Sequence, residues 1–320
     1  MSVEPTAPQP SPVAAPLGLG EALPDERDPM LGLGRRRAER SHLRRNLRRF
    51  LIGNRLNLIG LAIVLAFFFL SIFGELLAPH DPNAQDIIAS KFLSPSTEHP
   101  FGTDELGRDV LSRVMSGTRV SLQVAAVVLA CAVTVGVLVG AVAGYFGGLV
   151  DEVLMRLTDM FLAFPALILA IAIAATLGRD LRNTMIAISL VFWPWYARLV
   201  RAQVLSLRER EFVTAGRSLG LSGPRLLVRH ILPNAWSVVI IQVTLDVGYA
   251  ILTTSSLSFI GLGAPPPSPE WGTMMATARN HLDAWWYTAF PGLALALTVF
   301  AFNVLGDGLQ DALDPRSGHR

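Results

Sequence analysis

Few side chains in this 320-residue chain could do covalent or metal chemistry, and their spacing argues against an enzyme. Lys91 is the only lysine and Phe92 follows it. No Gly-Lys-Ser/Thr phosphate loop can therefore exist, and the chain does not bind ATP in that way by itself. Gly220-Leu221-Ser222-Gly223 fits the G-x-S-G pattern of intramembrane serine proteases, but Ser222 stands in a charged turn, with no histidine on a neighbouring apolar run to serve as its base. The single cysteine, Cys131, permits no intrachain disulfide and no Cys-based zinc cage, and its apolar surroundings predict a small buried hydrophobe. His80, His99 and His281 are too scattered along the chain to predict a metal site. Asp307, Asp311 and Asp314 recur at i, i+4 and i+7, which describes the solvated face of a terminal helix. Asp246 differs, because it is the one acid at the centre of a long apolar run. A charge there is costly and faces either a polar cavity or a hydrogen-bonding neighbour.

The elements that carry these residues follow from composition. The chain is 51% hydrophobic and 16% charged, with a mean hydropathy of +0.44, whereas a soluble domain usually carries about 25% charged residues. Too few charges remain to cover a water-facing surface, so an ordinary soluble enzyme is excluded, as are disordered and collagen-like chains. The net charge of +2 and the pI near 9.0 invite a nucleic-acid partner. The basic residues, however, are arginines bunched beside apolar runs, which is a membrane orientation signal. Residues 1–34 are rich in proline and alanine and are expected to be disordered. They lack the apolar core of a signal peptide. Arg35 to Arg55 then holds nine arginines and one acid, Glu39.

A bilayer core of about 30 Å needs roughly 20 apolar residues at 1.5 Å each. Six segments meet or approach that length, at about 56–78, 120–143, 160–178, 184–205, 234–260 and 286–306. The expected fold is all-α: a polytopic membrane protein with six transmembrane helices in contact with lipid. Three regions are expected: the tail at 1–34, a basic segment with the first helix and a loop at 35–116, and a transmembrane domain at 117–316. With the N-terminus cytoplasmic, the inner segments and the inner end of the fourth helix hold nineteen Lys and Arg, against seven outside. That bias puts both termini in the cytoplasm.

In the second helix Gly136, Gly140, Gly144 and Gly148 line one face, which lets another backbone approach, unless they reflect the general enrichment of Gly in membrane helices. Trp193-Pro194-Trp195 places a kinking proline between two aromatics and suits a pore-lining or bent helix, or plain packing. In the outer loop, Gly102 to Arg113 predicts a short amphipathic surface helix capped by Thr103, with Asp104 and Glu105 in its first turn and Leu106, Val110, Leu111 and Val114 on one face.

The inner loop 206–233 is the most informative segment. Arg208 through Leu219 is compatible with a helix, Gly220 and Ser222-Gly223-Pro224 break it, and Arg225 to Leu232 resumes it. This predicts a compact, positively charged knob whose Phe212, Val213, Leu219, Leu221, Leu226 and Leu227 need a partner. The loop resembles the cytoplasmic signature of binding-protein-dependent ABC importer permeases: Glu-Ala-Ala, three residues, Gly, nine residues, Ile-x-Leu-Pro. Thr214-Ala215-Gly216 stands at the triplet, Gly220 at the glycine, and Leu232-Pro233 at the end. The chain departs at Thr214, Gly216 and His230. REFVTAGRSLG, RHILPNA, GTDELGRDVLSR, AGYFGG and FNVLGDGLQDALDPR together resemble the C-type permease of the dipeptide/oligopeptide/nickel importers.

The resemblance, which runs from about Arg45 to Arg316, implies a type I ABC importer permease (MetI-like) fold in the cytoplasmic (inner) membrane. It implies three kinds of partner: a B-type permease subunit, cytoplasmic ABC ATPase subunits and an extracytoplasmic substrate-binding protein. It assigns ATPase coupling to Glu211, Thr214, Ala215, Gly216, Leu219, Gly220, His230, Leu232 and Pro233. The implied cargo is a short peptide, with nickel or another small solute as the alternative. The translocation path is expected to include Asp246, Trp193 and Trp195, with no catalytic residue, cofactor or metal in the chain. An ion-coupled secondary transporter would instead show paired intramembrane charges and related halves, and neither is evident.

Overall fold

The computed structural model describes residues 55–313. The expected disordered tail at 1–34, the basic block before Arg55, and Asp314 lie outside the described residues. The described chain is helical, and its only β pairing is an isolated bridge between Thr103 and Asp109. The helices are α1 (Arg55–Leu77), α2 (Val110–Phe146), α3 (Gly148–Leu162), α4 (Ala166–Leu177), α5 (Leu181–Arg208), α6 (Glu211–Ser218), α7 (Gly223–Leu226), α8 (Leu232–Phe259), α9 (Trp271–Ala278) and α10 (Trp285–Leu313). A π-helical turn, Leu227–Ile231, joins α7 to α8.

Four helical stretches are long and apolar enough to cross a membrane: α1, α2, the unbroken stretch Gly223–Phe259, and α10. A fifth is gained if the bent pair α3–α4 counts as one span. The expected third helix at 160–178 is therefore not one rod. The chain breaks at Ala163–Pro165, and α3 and α4 meet at 86°. Pro165 supplies the cause, since it disfavours helical geometry at Phe164 and cannot donate to the ladder. At 12 residues α4 reaches only about 18 Å. The fifth expected helix differs in the other direction. It begins at Gly223 rather than near 234, because Pro233 sits in the first turn of α8, where proline is tolerated, and the π turn carries the helix through.

Packing centres on α2 against α5. A Cβ at Gly136 would strike Tyr196 and the Trp193 carbonyl. At Gly140 it would strike the Ala197 carbonyl, and at Gly144 the Arg201 carbonyl 2.9 Å away. The glycine stripe thus serves an interface inside this chain. Gly148 lies outside that interface, beyond the end of α2, where a Cβ would meet nothing within 4 Å among the described residues. Outward-facing positions are apolar instead of charged. On α1, Leu65, Phe68, Phe69, Ile72 and Phe73 are all exposed, the pattern of a helix in lipid. Cys131 is likewise exposed and not buried as expected, because in a bilayer the apolar side of a helix faces outward.

The loop before α2 also departs from expectation. No separate surface helix forms over 102–113. Asp109 caps α2 by accepting the Ser112 N–H at 2.7 Å, while the Thr103 hydroxyl donates to the Ser90 carbonyl and accepts the Leu93 N–H. Asp104, Arg108 and Arg113 are buried together. Arg108 Nε meets Asp104 Oδ2 at 2.6 Å, its Nη2 meets Glu105 at 2.9 Å, and Arg113 Nε lies 3.5 Å from Asp104. Burial, with Glu105 alongside, pushes the Asp104 carboxyl above its ordinary range against the pull of Arg108. Arg113 also donates to the carbonyls of Pro82, Pro267 and Ser268, and Trp286 donates to that of Thr103. A charged hub therefore ties this loop to α2, the 260–270 loop and α10. The i, i+4 spacing of Asp104 and Arg108 that reads as helical in the sequence is used here by a tertiary cluster.

Candidate functional site

The segment 206–233 keeps the expected order of helix, glycine turn and helix, but a short break at 209–210 sets α6 apart from α5, and Gly223 and Pro224 open α7 instead of breaking the helix. α6 ends in a left-handed cap. The Gly220 N–H donates to the Arg217 carbonyl at 2.9 Å and the Leu221 N–H to that of Gly216 at 3.1 Å, with Gly220 at φ 79°. Leu221 and Leu226 close over Gly216, where a side chain would meet Leu226 Cδ2 at 2.7 Å. Gly216 therefore suits this turn better than a larger residue would.

The apolar residues of the segment divide into two groups. Val213, Leu227 and Ile231 are buried with Val137, Val200, Val204 and Val239, so the knob is rooted in its own bundle, while Leu226 is buried against Gly216. Phe212 and Leu219 remain exposed, and so does Val228, which sequence reasoning passed over. Leu219 is 83% exposed. Of the residues to which the resemblance gave a coupling role, Glu211, Thr214, Ala215, Leu219, Gly220 and Pro233 lie on the surface. Gly216 is buried, and His230 and Leu232 are half-buried along the π turn and its exit. The π turn itself has no single-residue signature. Leu232 N–H reaches back to the Leu227 carbonyl because the continuous helix accommodates one extra residue.

A cavity of 580 Å³ opens between α5 and α8, with α4 at its edge. Its walls include Phe192, Trp195, Arg198, Gln242, Asp246 and Tyr249. Asp246 accepts hydrogen bonds from the Tyr196 hydroxyl at 2.6 Å and from Gln242 Nε2 at 3.0 Å. It therefore has both a partner on a neighbouring helix and a place on a cavity wall, so the two alternatives left open by the sequence coexist. Trp195 faces the cavity. Trp193 points the other way into the core, edge-on to Phe161 at 5.4 Å. Gln242, Tyr249 and Arg198 carried no sequence signal as lining residues; only the fold brings α5 and α8 together.

Three arginines at the end of α5 are structural as well as basic. Arg201 forms a paired contact with Asp151 at 2.5 and 2.6 Å, Arg198 meets Asp159 at 2.6 Å, and Arg208 donates to the Gly144 carbonyl at 3.1 Å. They hold α3 across the foot of α2 and α5.

Apolar helices around a mostly apolar cavity that carries Arg198, Gln242 and Asp246, with an exposed knob on the same chain, suit a membrane transport component. Residues 136–319 match the family model described as binding-protein-dependent transport system inner membrane component. Residues 41–95 match that of the N-terminal TM domain of oligopeptide transport permease C. The chain is 46% identical over 267 residues to the probable D,D-dipeptide transport system permease protein of Escherichia coli K12, covering 83% of this chain and 89% of that protein. It is 44% identical over 264 residues to a dipeptide transport system permease protein of Alkalihalophilus pseudofirmus, covering 82% and 86%. The nickel transport system permease protein of E. coli K12 is 42% identical over 262 residues, covering 80% and 93%. The chain belongs to the family of binding-protein-dependent transport system inner membrane components, and it is a multi-pass permease of the inner membrane.

Proposed function

We propose that this chain is one half of an ATP-driven import pathway for short peptides. It would pair with a B-type permease, receive cargo from an extracytoplasmic binding protein and take its energy from cytoplasmic ATPases docked on residues 206–233. The observation that carries the cargo assignment is the cavity wall. A short peptide ends in an ammonium and a carboxylate, and Asp246 and Arg198 offer the matching charges on one cavity. Arg198 also meets Asp159, but a guanidinium has five donors and retains several for a ligand. Among the described residues the cavity walls contain no His or Cys, the side chains that a late transition metal prefers. The peptide names of two relatives favour the same cargo.

In this reading the spans number six: the five candidate stretches plus α5, whose 28 residues could cross a bilayer and whose arginines lie at its ends or pair with α3. The arginine bias puts both termini in the cytoplasm. The unbroken stretch Gly223–Phe259 would then carry motion from the docked knob into the helix bearing Asp246, turning ATPase closure into alternating access.

The test is uptake by proteoliposomes holding the complete importer, its binding protein and ATP. Dipeptide uptake should be robust and Ni²⁺ uptake absent. Asp246→Asn should lower peptide uptake about tenfold or more, the value of one charge-assisted hydrogen bond, while basal ATP hydrolysis persists. Uptake of Ni²⁺ without peptide would overturn the cargo assignment, and uptake driven by an ion gradient without ATP would overturn the mechanism.

A further inference from the structure

The histidines that look scattered in the sequence are not all scattered in space. The loop after α1 folds back so that His80 and His99 both face Asp109, the capping residue of α2. His99 Nδ1 lies 2.9 Å from Asp109 Oδ1, His80 Nδ1 lies 3.8 Å from the same oxygen, and the two rings sit 4.7 Å apart at 34°. The three ligand atoms all fall within 4.8 Å of one another. His281, by contrast, stacks on Phe92 outside this cluster.

Two features separate the arrangement from an ordinary buried hydrogen bond. His80 Nδ1 is shielded from solvent and has no hydrogen-bond partner among the described residues. At 3.8 Å from Asp109 it is too distant to bond, yet a buried polar atom left unpaired is costly. The spacing also suits two ligands of one ion. Around a tetrahedral centre with bonds of roughly 2.1 Å, ligand atoms stand roughly 3.4 Å apart, and the observed 2.9 and 3.8 Å bracket that value. The carboxylate is already oriented from behind. Asp109 Oδ2 accepts from both the N–H and the hydroxyl of Ser112 at 2.7 Å, and Ser112 Oγ in turn accepts the His80 backbone N–H at 3.1 Å. Outer partners of this kind fix a metal ligand's geometry. The His80 side chain is 36% exposed, which leaves an approach from water.

We propose that His80, His99 and Asp109 bind one late-transition divalent cation, Zn²⁺ or Ni²⁺, which fastens the loop after α1 to the first turn of α2. Two imidazoles and a carboxylate favour such ions over Mg²⁺ or Ca²⁺. The site is separate from the cavity between α5 and α8, and the proposal holds whichever solute the protein carries.

The experiment uses the full chain in nanodiscs, stripped with EDTA and titrated with Co²⁺ as a spectroscopic probe. A d–d absorption band should grow, saturate at one ion per chain and disappear when Zn²⁺ is added. Zn²⁺ should also raise the unfolding temperature of the stripped wild-type chain. His80→Ala should weaken binding by at least about tenfold, since removing a ligand costs no less than removing its outer partner. His281→Ala should bind as the wild type does. Asp109 also caps α2, so its variants are not used, and circular dichroism checks that His80→Ala remains folded. A plain hydrogen bond between His99 and Asp109, with no ion, would give no Co²⁺ band and no Zn²⁺ stabilisation. Either that pair of results or a band unchanged in folded His80→Ala would overturn the proposal.

Discussion

The loop of residues 78–113 and the segment of residues 206–233 both leave the apolar bundle, and they settle their side chains in opposite ways. The first buries charge: Asp104, Arg108 and Arg113 are almost inaccessible, and Arg113 and Trp286 bind backbone carbonyls from distant parts of the chain. The second buries its apolar root, Val213, Leu226, Leu227 and Ile231, but leaves Phe212, Leu219 and Val228 in the open. A buried ionic cluster is held by many mutual contacts and resists small displacements. A knob with uncovered apolar side chains gains stability only when another surface covers them. The difference separates a region whose polar side chains are closed off within the chain from one that keeps apolar side chains on its surface.

Breaking the hub should have the largest effect on stability. Arg108→Ala leaves Asp104 and Glu105 without their principal cation in a buried setting, and about 3–5 kcal/mol should be lost. Thermal unfolding of the purified chain in detergent measures it. Next comes the α2–α5 seam, where Gly140→Leu must push the α5 backbone aside and should cost about 1–3 kcal/mol or more. The same assay should place it between Arg108→Ala and every knob variant.

Gly220→Trp sharpens the comparison, because stability and coupling should separate. Among the described residues nothing lies within 4 Å of a Cβ there, so the direct cost is the left-handed backbone at φ 79°, about 1–2 kcal/mol. The assembled importer should nonetheless lose transport and the stimulation of ATP hydrolysis by loaded binding protein, both read in proteoliposomes. The smallest stability effect belongs to Leu219→Ala, within about 0.5 kcal/mol as for other exposed sites. It should still weaken ATPase binding in a pull-down titration, whereas Ile88→Ala, 99% exposed on the hub loop, should not.

What could be read from the sequence followed the range of the interaction. The knob's turn was legible because Gly220 and Ser222-Gly223-Pro224 act locally, and most spans were legible because apolar runs need no partner to be recognised. The break at Pro165 carries a local signal too, since a proline disfavours helical geometry at the residue before it. The hub was not, since Arg113 meets carbonyls 154 and 155 residues away and nothing near Arg113 marks them. Asp246 stood out as a lone acid, but Tyr196, 50 residues earlier, looked like any helix tyrosine. The pairing of His80 with His99 was hidden by the fold-back of the loop, and the outward face of Cys131 by the inversion of apolar surface that lipid imposes.

The central claim is that the uncovered face around Leu219 is covered by an ATPase in the working importer. A cross-link tests it most directly. In a Cys131→Ser background, Leu219→Cys and, separately, Ile88→Cys would carry a photoactivatable benzophenone in the assembled complex, with products identified by mass spectrometry. Leu219→Cys should link to the ATPase subunit, and Ile88→Cys should not. Linkage of Ile88→Cys to the ATPase, with none from Leu219→Cys, would contradict both the docking surface and the orientation of the chain.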